Sequence, residues 1–209
     1  MLQAIARFFV EGGGFMWIIL SVLAAAVAVS VERVLFFYST CKNNARQTTA
    51  DFIRALNAGD AAAAEKVCAG AAPLNRILAE SAKLYTMGLS YKDIKQGLEE
   101  VAIGELQRFS DRVSYISLFA NISTLLGLMG TIFGLIMAFS SLSGAEAAQK
   151  AEILARGISV AMNTTAFGLI VAVPCMIAFT VFQNRQAALM AALDESIVKV
   201  LHFMEKKRP

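Results

Sequence analysis

Residues 113–145 read VSYISLFANISTLLGLMGTIFGLIMAFSSLSGA, which is 33 consecutive positions without Asp, Glu, Lys or Arg. Two more charge-free stretches lie on either side of it, residues 12–31 with 20 positions and residues 157–184 with 28 positions. A helix needs about 20 apolar residues to cross a bilayer core, so the first stretch just fits and the other two exceed this length. The sequence therefore predicts an all-α membrane protein with three transmembrane helices, the second and third long and extending into the cytoplasm.

The overall composition supports this prediction. Hydrophobic residues make up 57% of the 209 residues and charged residues 17%, whereas soluble proteins carry about 25% charged residues. For residues 12–31 the alternative is a cleaved signal peptide, whose apolar region spans about 7 to 15 residues before a small-residue cleavage site. This stretch is longer and ends at Val31-Glu32-Arg33 without such a site. We expect it to stay in the protein as an anchor.

The basic residues indicate the orientation. Residues 32–112 carry 11 Lys and Arg residues and residues 185–209 carry five, but residues 143–156 carry only two. Because basic residues concentrate in cytoplasmic segments of membrane proteins, the N-terminus is expected outside and the C-terminus in the cytoplasm.

This topology divides the chain into seven segments. They are an outer-surface amphipathic helix at 1–11, transmembrane helix 1 at 12–31, a cytoplasmic helical region at 32–112, transmembrane helix 2 at 113–142, a periplasmic loop at 143–156, transmembrane helix 3 at 157–184 and a cytoplasmic C-terminal helix at 185–209. Residues 1–11 have apolar residues at helical spacing before Gly12-Gly13-Gly14. They could equally be the frayed start of the first span.

Turn signals subdivide the cytoplasmic region. Asn57-Ala58-Gly59-Asp60 separates a predicted helix around residues 49–56 from another around 61–69, and Pro73 is suited to open the next helix. Ser90, three residues before Asp93, is a capping pattern for a further helix. We expect that helix to continue without a break into the second span.

The sequence offers little for catalysis or metal binding. His202, the single histidine, has no cysteine or carboxylate cluster beside it, so we expect a surface residue rather than a zinc or haem ligand. The motifs GxxxxGK(S/T), GxGxxG, HExxH and GxSxG are absent. We therefore expect no catalytic residue, no cofactor, no metal site and no enzyme activity. Cys41, Cys68 and Cys175 are expected as free thiols.

Small residues form matching stripes on the second and third spans. In the second span the steps are four, three, four and three, through Gly127, Thr131, Gly134, Ala138 and Ser141. The third span repeats these steps through Ala161, Thr165, Gly168, Ala172 and Cys175. Gly130 adds a GxxxG pair with Gly134. Residues at these steps share one face of a helix.

Two interpretations of the stripes are compatible. Close helix packing explains the small residues by itself, and the candidate packing or pore-face residues are Gly127, Gly130, Gly134, Ala138, Ala161, Gly168, Ala172 and Cys175. Alternatively, hydroxyl and amide groups line an ion path, for which the candidates are Thr131, Thr165, Thr164 and Asn163. The hydroxyls could also simply bond to their own helices.

Ion-coupled transport generally uses an ionisable group within the membrane. Residues 12–31, 113–145 and 157–184 contain no charged residue and no histidine. If the hydroxyls line an ion path, the titrating carboxylate must therefore belong to a partner subunit.

Four motifs of this sequence form a recognisable set: LLGLMGTIFG at residues 125–134, residues 157–174, Glu32-Arg33 and Gly59-Asp60. Together they resemble the motifs of the MotA/TolQ/ExbB proton channel family, and of its ExbB/TolQ branch in particular. Two positions depart from the family pattern. Thr124 stands where many members carry proline, and Val160 stands where ExbB proteins of the siderophore system carry glutamate.

The resemblance implies a multi-pass protein of the bacterial inner membrane that forms a homopentamer in contact with membrane lipid. The pentamer would enclose the helices of a single-span ExbD/TolR-like partner, whose membrane aspartate carries the proton, and would transmit energy to the periplasm or outer membrane. By position, Thr131 and Thr165 correspond to the family's pore-facing threonines. No nucleic acid is implied. Proton versus sodium and the process powered stay open, and the alternative function is a non-conducting membrane scaffold.

Overall fold

The computed structural model describes residues 8–9, 12–40, 45–70, 72–110, 112–144 and 146–207, and within these ranges it contains helices and no strand. The helices are α1 (Gly14–Thr40), α2 (Ala45–Asn57), α3 (Ala61–Cys68), α4 (Pro73–Thr86), α5 (Tyr91–Ser110), α6 (Val113–Ser141) and α7 (Ala147–Lys207), with a 3-10 turn at Leu142–Gly144. Among the described residues, three segments are long and apolar enough to cross a membrane: Gly14–Tyr38, Val113–Ser141 and Gln149–Lys206. The predicted all-α fold with three spans is confirmed.

The chain divides into two compact units. The first, called the membrane unit here, comprises Met1–Glu32 and Arg112–Val181. Of its N-terminal segment 1–11, only Phe8 and Phe9 are described, and both are helical. The ring of Phe9 meets Phe167 at a centroid distance of 5.0 Å and Trp17 at 6.0 Å. Gly13 then has a φ of +71°, a left-handed conformation that glycine adopts without steric cost. The first span therefore begins anew at Gly14.

The third long helix starts earlier than the charge distribution suggested. Residues 143–156 were expected as a loop, but α7 begins at Ala147 and runs 61 residues to Lys207 without interruption. The charges of residues 146–156 do not oppose a helix, because Glu, Lys, Arg and Ala are all good helix formers. Segments 157–184 and 185–209 therefore share one continuous helix as far as Lys207, and Pro174 lies inside it.

The expected continuity between the helix after Ser90 and the second span is wrong. Helix α5 ends at Ser110 and α6 begins at Val113, and Arg112 has a φ of +65°. A non-glycine residue in this left-handed region costs about 1 to 2 kcal/mol and interrupts helical hydrogen bonding. The Arg112 guanidinium donates to Glu32 Oε1 at 2.6 Å, within the membrane unit.

The second unit comprises Arg33–Asp111 and Phe182–Pro209, and it has an ordinary side-chain core. Five large residues are at most 1% exposed: Phe52, Ile77, Leu78, Ile94 and Leu98. They lie on α2, α4 and α5, which therefore bury their apolar faces against one another. Between α4 and α5, Arg76 Nη1 lies 3.0 Å from Glu105 Oε1.

The predicted turn signals of this unit lie where its helices begin. Asp60 Oδ1 accepts a hydrogen bond from the Ala63 N–H at 2.9 Å, and Pro73 occupies the first turn of α4. Ser90 Oγ donates to Asp93 Oδ2 at 2.7 Å and accepts from the Asp93 N–H at 3.3 Å. These contacts satisfy amide groups that a helix start leaves without partners.

The cysteines that the structure describes carry free thiols. Cys68 and Cys175 are both free and buried, and burial raises the pKa of the Cys68 thiol to about 11. Cys41 lies outside the described residues. His202 is exposed on α7.

Candidate ion-path site between the second and third spans

Helices α6 and α7 approach each other closely within the membrane unit. A methyl group on Gly168 of α7 would lie 2.6 Å from the Ser123 carbonyl oxygen and 3.1 Å from the Gly127 Cα. A methyl group on Gly127 would in turn lie 3.2 Å from the Thr165 Cα. Backbone faces backbone here, and neither glycine leaves room for a side chain.

The close contact continues along both helices. A methyl group on Gly134 would lie 3.2 Å from both Cα and Cβ of Ala161, and one on Gly157 would collide with the Ala138 methyl. The two helices run antiparallel, because residue 127 contacts 168, residue 134 contacts 161 and residue 138 contacts 157. Gly157 was not among the predicted site residues. The signal was present, because Gly157 lies four residues before Ala161 and extends the same stripe.

The eight predicted packing or pore-face residues are all buried in the structure. Gly127, Gly134, Ala138, Ala161 and Gly168 take part in the contacts just described. Gly130 faces the Thr164 side chain, whose Cβ would lie 2.6 Å from an added methyl group. Ala172 and Cys175 are buried further along α7.

Thr165 and Thr131 direct their hydroxyls to neighbouring main-chain carbonyls of α6. Thr165 Oγ1 donates across the helix contact to the Gly127 oxygen at 3.0 Å, and Thr131 Oγ1 donates to the Leu128 oxygen at 2.6 Å. Gly127 and Leu128 are consecutive, so both hydroxyls come to one turn of α6. Both threonine side chains are half-buried. The structure thus brings the two principal candidates of the sequence together.

Thr164 and Asn163 are in different environments. Thr164 is 1% exposed, and its hydroxyl donates to the Ala161 oxygen at 2.8 Å, within its own helix. Its side chain fills the space that Gly130 leaves. Asn163 is half-buried on the neighbouring face of α7. Consecutive helix positions differ by about 100° in direction, so residues 163, 164 and 165 cannot all face the same space.

Thr124 and Val160, the two departures from the family pattern, both lie within helices of the membrane unit. Thr124 lies within the uninterrupted helix α6, and its hydroxyl donates to the Ala120 oxygen at 3.1 Å. Val160 lines an apolar cavity of about 320 Å³, together with Phe15, Phe133 and Thr164. None of the cavity-lining residues that the structure describes is Asp, Glu, Lys or Arg.

Comparison with known proteins identifies the family of this helix pair. The sequence model of the MotA/TolQ/ExbB proton channel family matches residues 69–195, which include α6 and most of α7. The chain belongs to the MotA/TolQ/ExbB proton channel family. This family consists of channel and motor components of membrane transport and is not a family of enzymes.

Relatives within the family carry ExbB and TolQ names. A biopolymer transport protein ExbB-like 3 of Synechocystis sp. is 30% identical over 172 residues, covering 81% of this chain and 80% of the relative. The Tol-Pal system protein TolQ of Haemophilus influenzae is 35% identical over 91 residues, covering 44% of this chain and 38% of the relative. The sequence prediction of an ExbB/TolQ-like member is confirmed.

A solved structure shares the fold. The chain superposes on a chain of the C. jejuni MotAB structure with a TM-score of 0.64 at 18% identity, covering 97% of this chain and 88% of that one. With the three apolar helices, family membership supports a multi-pass protein of the inner membrane and a subunit of an ion-driven membrane motor.

Proposed function

We propose that this chain is the channel-forming subunit of a proton-driven motor in the bacterial inner membrane, and that Thr131 and Thr165 line the proton path. Five copies enclose the helices of a single-span partner of the ExbD/TolR type. Proton flow drives motion of one set of helices against the other and delivers work to the periplasm or outer membrane. The N-terminus lies in the periplasm and the C-terminus in the cytoplasm.

The observation that carries this proposal is the convergence of the two hydroxyls within the charge-free stretches 113–145 and 157–184. Thr131 Oγ1 and Thr165 Oγ1 reach consecutive carbonyls of α6, and both side chains keep part of their surface open. Polar groups are costly in a bilayer, so a half-buried pair at one level favours a path for a polar species. The family match to a proton channel supports the same conclusion.

The need for a partner subunit follows from the absence of acidic and basic side chains in the two spans. Residues 113–145 and 157–184 contain no Asp, Glu, His, Lys or Arg. Proton coupling needs a group that gains and loses a proton. An aspartate on the partner helix, held beside the two threonines, supplies that group in this proposal. The names of the ExbB and TolQ relatives support a partner of this class.

Reconstitution of the complex in vesicles tests the proposal, with proton uptake driven by an imposed pH gradient. One neutral hydrogen bond contributes about 0.5 to 1.5 kcal/mol, so Thr165→Val and Thr131→Val are each expected to reduce proton flux by about 2- to 10-fold. Thr180→Val is the matched control. Thr180 is exposed on α7, the helix of Thr165, and its hydroxyl donates to the Met176 oxygen of that helix. Unchanged flux in both test variants would exclude these threonines from the path.

The second candidate function is a non-conducting scaffold, which the backbone contact between α6 and α7 favours. Close packing of this kind needs no ion flow. A scaffold predicts no proton uptake by vesicles that contain the complete complex. Proton uptake by this chain without a partner would contradict both candidates, because the motor proposal assigns the titrating group to the partner.

A further inference from the structure

The hydroxyl protons of Thr131 and Thr165 are both engaged with the main chain. Their oxygens lie 2.6 Å from the Leu128 carbonyl oxygen and 3.0 Å from the Gly127 carbonyl oxygen. A carbonyl oxygen has no proton, so the hydroxyl must be the donor in each bond. Each threonine has one hydroxyl proton, and each has therefore committed it.

The remaining capacity of the pair is that of an acceptor. A hydroxyl oxygen has two lone pairs, and donating its proton leaves them available. A protonated carboxylic acid has an O–H to donate to such an oxygen, whereas an ionised carboxylate can only accept. The pair as arranged can hydrogen-bond the acid form, and it can bond the carboxylate only if a hydroxyl turns away from its carbonyl.

We propose that Thr131 and Thr165 form an acceptor pair that binds the protonated form of the partner's membrane carboxyl group in preference to the ionised form. This inference rests on the proposed function, which places that carboxyl beside the threonines. The site then stabilises the loaded state of the proton carrier. Loss of the proton removes the donor and weakens the attachment of the partner helix at this level.

The bond from Thr165 to Gly127 also joins two helices, and a purely structural role must be distinguished. Interhelical hydrogen bonds from threonine are common in membrane proteins and contribute about 0.6 to 2 kcal/mol. A structural role predicts that loss of the hydroxyl lowers the stability of the helix pair. It predicts no particular direction for the protonation of a neighbouring carboxyl group.

The protonation of the partner's carboxyl can be followed in the intact complex by its reaction with a hydrophobic carbodiimide. The acid form protonates a nitrogen of the carbodiimide, and the carboxylate oxygen then adds to the central carbon. The complex is purified from native membranes through a tag on this chain, labelled over a range of pH and analysed by mass spectrometry. The quantity measured is the pH of half-maximal labelling. Three variants are compared with the wild type: Thr165→Val, Thr165→Ser and Thr180→Val.

Thr165→Val is expected to shift the half-labelling pH downward by about half to one pH unit, because one neutral hydrogen bond to the acid form contributes about 0.5 to 1.5 kcal/mol. Thr165→Ser keeps the hydroxyl and is expected to stay close to the wild type, as is Thr180→Val. The direction is informative, since replacing a hydroxyl by a methyl group makes the site less polar and by itself shifts protonation upward.

An unchanged or upward shift in Thr165→Val would overturn the acceptor-pair inference and leave the proposed function intact. If Thr165→Val does not assemble, Thr131→Val supplies the same comparison, because its hydroxyl bonds only within α6 among the bonds described above. If no partner carboxyl is labelled in the wild-type complex at any pH, the proposed function itself fails. The two failures are therefore distinguishable.

Discussion

The contact between α6 and α7 and the core of the second unit hold helices together in different ways. Between α6 and α7, Gly127 and Gly168 bring main-chain atoms into contact. In the second unit, Phe52, Ile77 and Leu98 fill the space between helices with large side chains that are at most 1% exposed. The hydrophobic effect favours the burial of such side chains in water. Within lipid this effect is absent between helices, so van der Waals contact at close approach must stabilise the pair.

The comparison predicts opposite sensitivities to a change in side-chain size. Truncating a side chain in the core of the second unit should lower its stability, because a cavity is left behind. Adding a side chain at the α6–α7 contact should lower the stability of that contact, because no space exists for it.

The largest effect is expected from Phe52→Ala in the second unit. Truncating a fully buried phenylalanine costs about 3 to 5 kcal/mol, through lost burial and the cavity that remains. Hydrogen exchange of the whole protein, followed by mass spectrometry, should show lower protection in peptides of α2, α4 and α5. Peptides of α6 serve as the internal reference. Phe52→Leu keeps most of the apolar volume and should show a clearly smaller loss; equal losses would argue against cavity formation.

The next largest effect is expected from Gly168→Ala. The added methyl group would lie 2.6 Å from the Ser123 carbonyl oxygen, and main-chain atoms cannot move aside without separating the helices. Overpacking of this kind costs about 1 to 3 kcal/mol. Thermal unfolding of the purified protein in detergent should show a lower midpoint.

Gly104→Ala is the matched control for this variant. An added methyl group at Gly104 of α5 meets no atom within 4 Å, and alanine is favoured over glycine in a helix by about 1 kcal/mol. This variant should therefore unfold at an equal or higher temperature than the wild type. If both glycine variants raised the midpoint, the close contact between α6 and α7 would be wrong.

Much of the fold follows from features that act over short distances in the sequence. The three spans follow from missing charge, and the helix starts at Asp60, Pro73 and Ser90 follow from capping and proline chemistry. The break at Arg112 has no such signal, because arginine has no preference for a left-handed conformation. The early start of α7 at Ala147 has no such signal either, because the charges of residues 146–156 indicate exposure to water but do not distinguish a loop from an exposed helix.

The site was predictable as a face but not as a set of individual contacts. The stripe steps identified Gly127, Gly134, Ala161 and Gly168 correctly as neighbours on their helices. They could not separate Thr164, which is buried against Gly130, from Thr165, which donates to Gly127. Both lie near the same stripe, and a rotation of α7 by one position would exchange their environments.

The smallest effect in this series, and the sharpest test of the contact, is expected from the pair Gly157 and Ala138. A methyl group on Gly157 would collide with the Ala138 methyl and lie 3.2 Å from the Gly134 carbonyl oxygen. Gly157→Ala should lower the unfolding midpoint in detergent, by less than Gly168→Ala, because Ala138 lies in the last turn of α6, where the helix can yield locally.

The double variant Gly157→Ala with Ala138→Gly moves that methyl group from one helix to the other and restores the total volume. It should recover most of the lost stability, since volume-conserving changes usually cost less than about 1.5 kcal/mol. Ala138→Gly alone measures the intrinsic cost of a fourth glycine in α6, which is about 1 kcal/mol. Strictly additive effects would mean that the two residues do not touch, because only neighbouring sites show coupling of about 0.5 to 3 kcal/mol. Recovery in the double variant would establish that α6 and α7 meet through these two positions, and with them the register that brings Thr165 to Gly127.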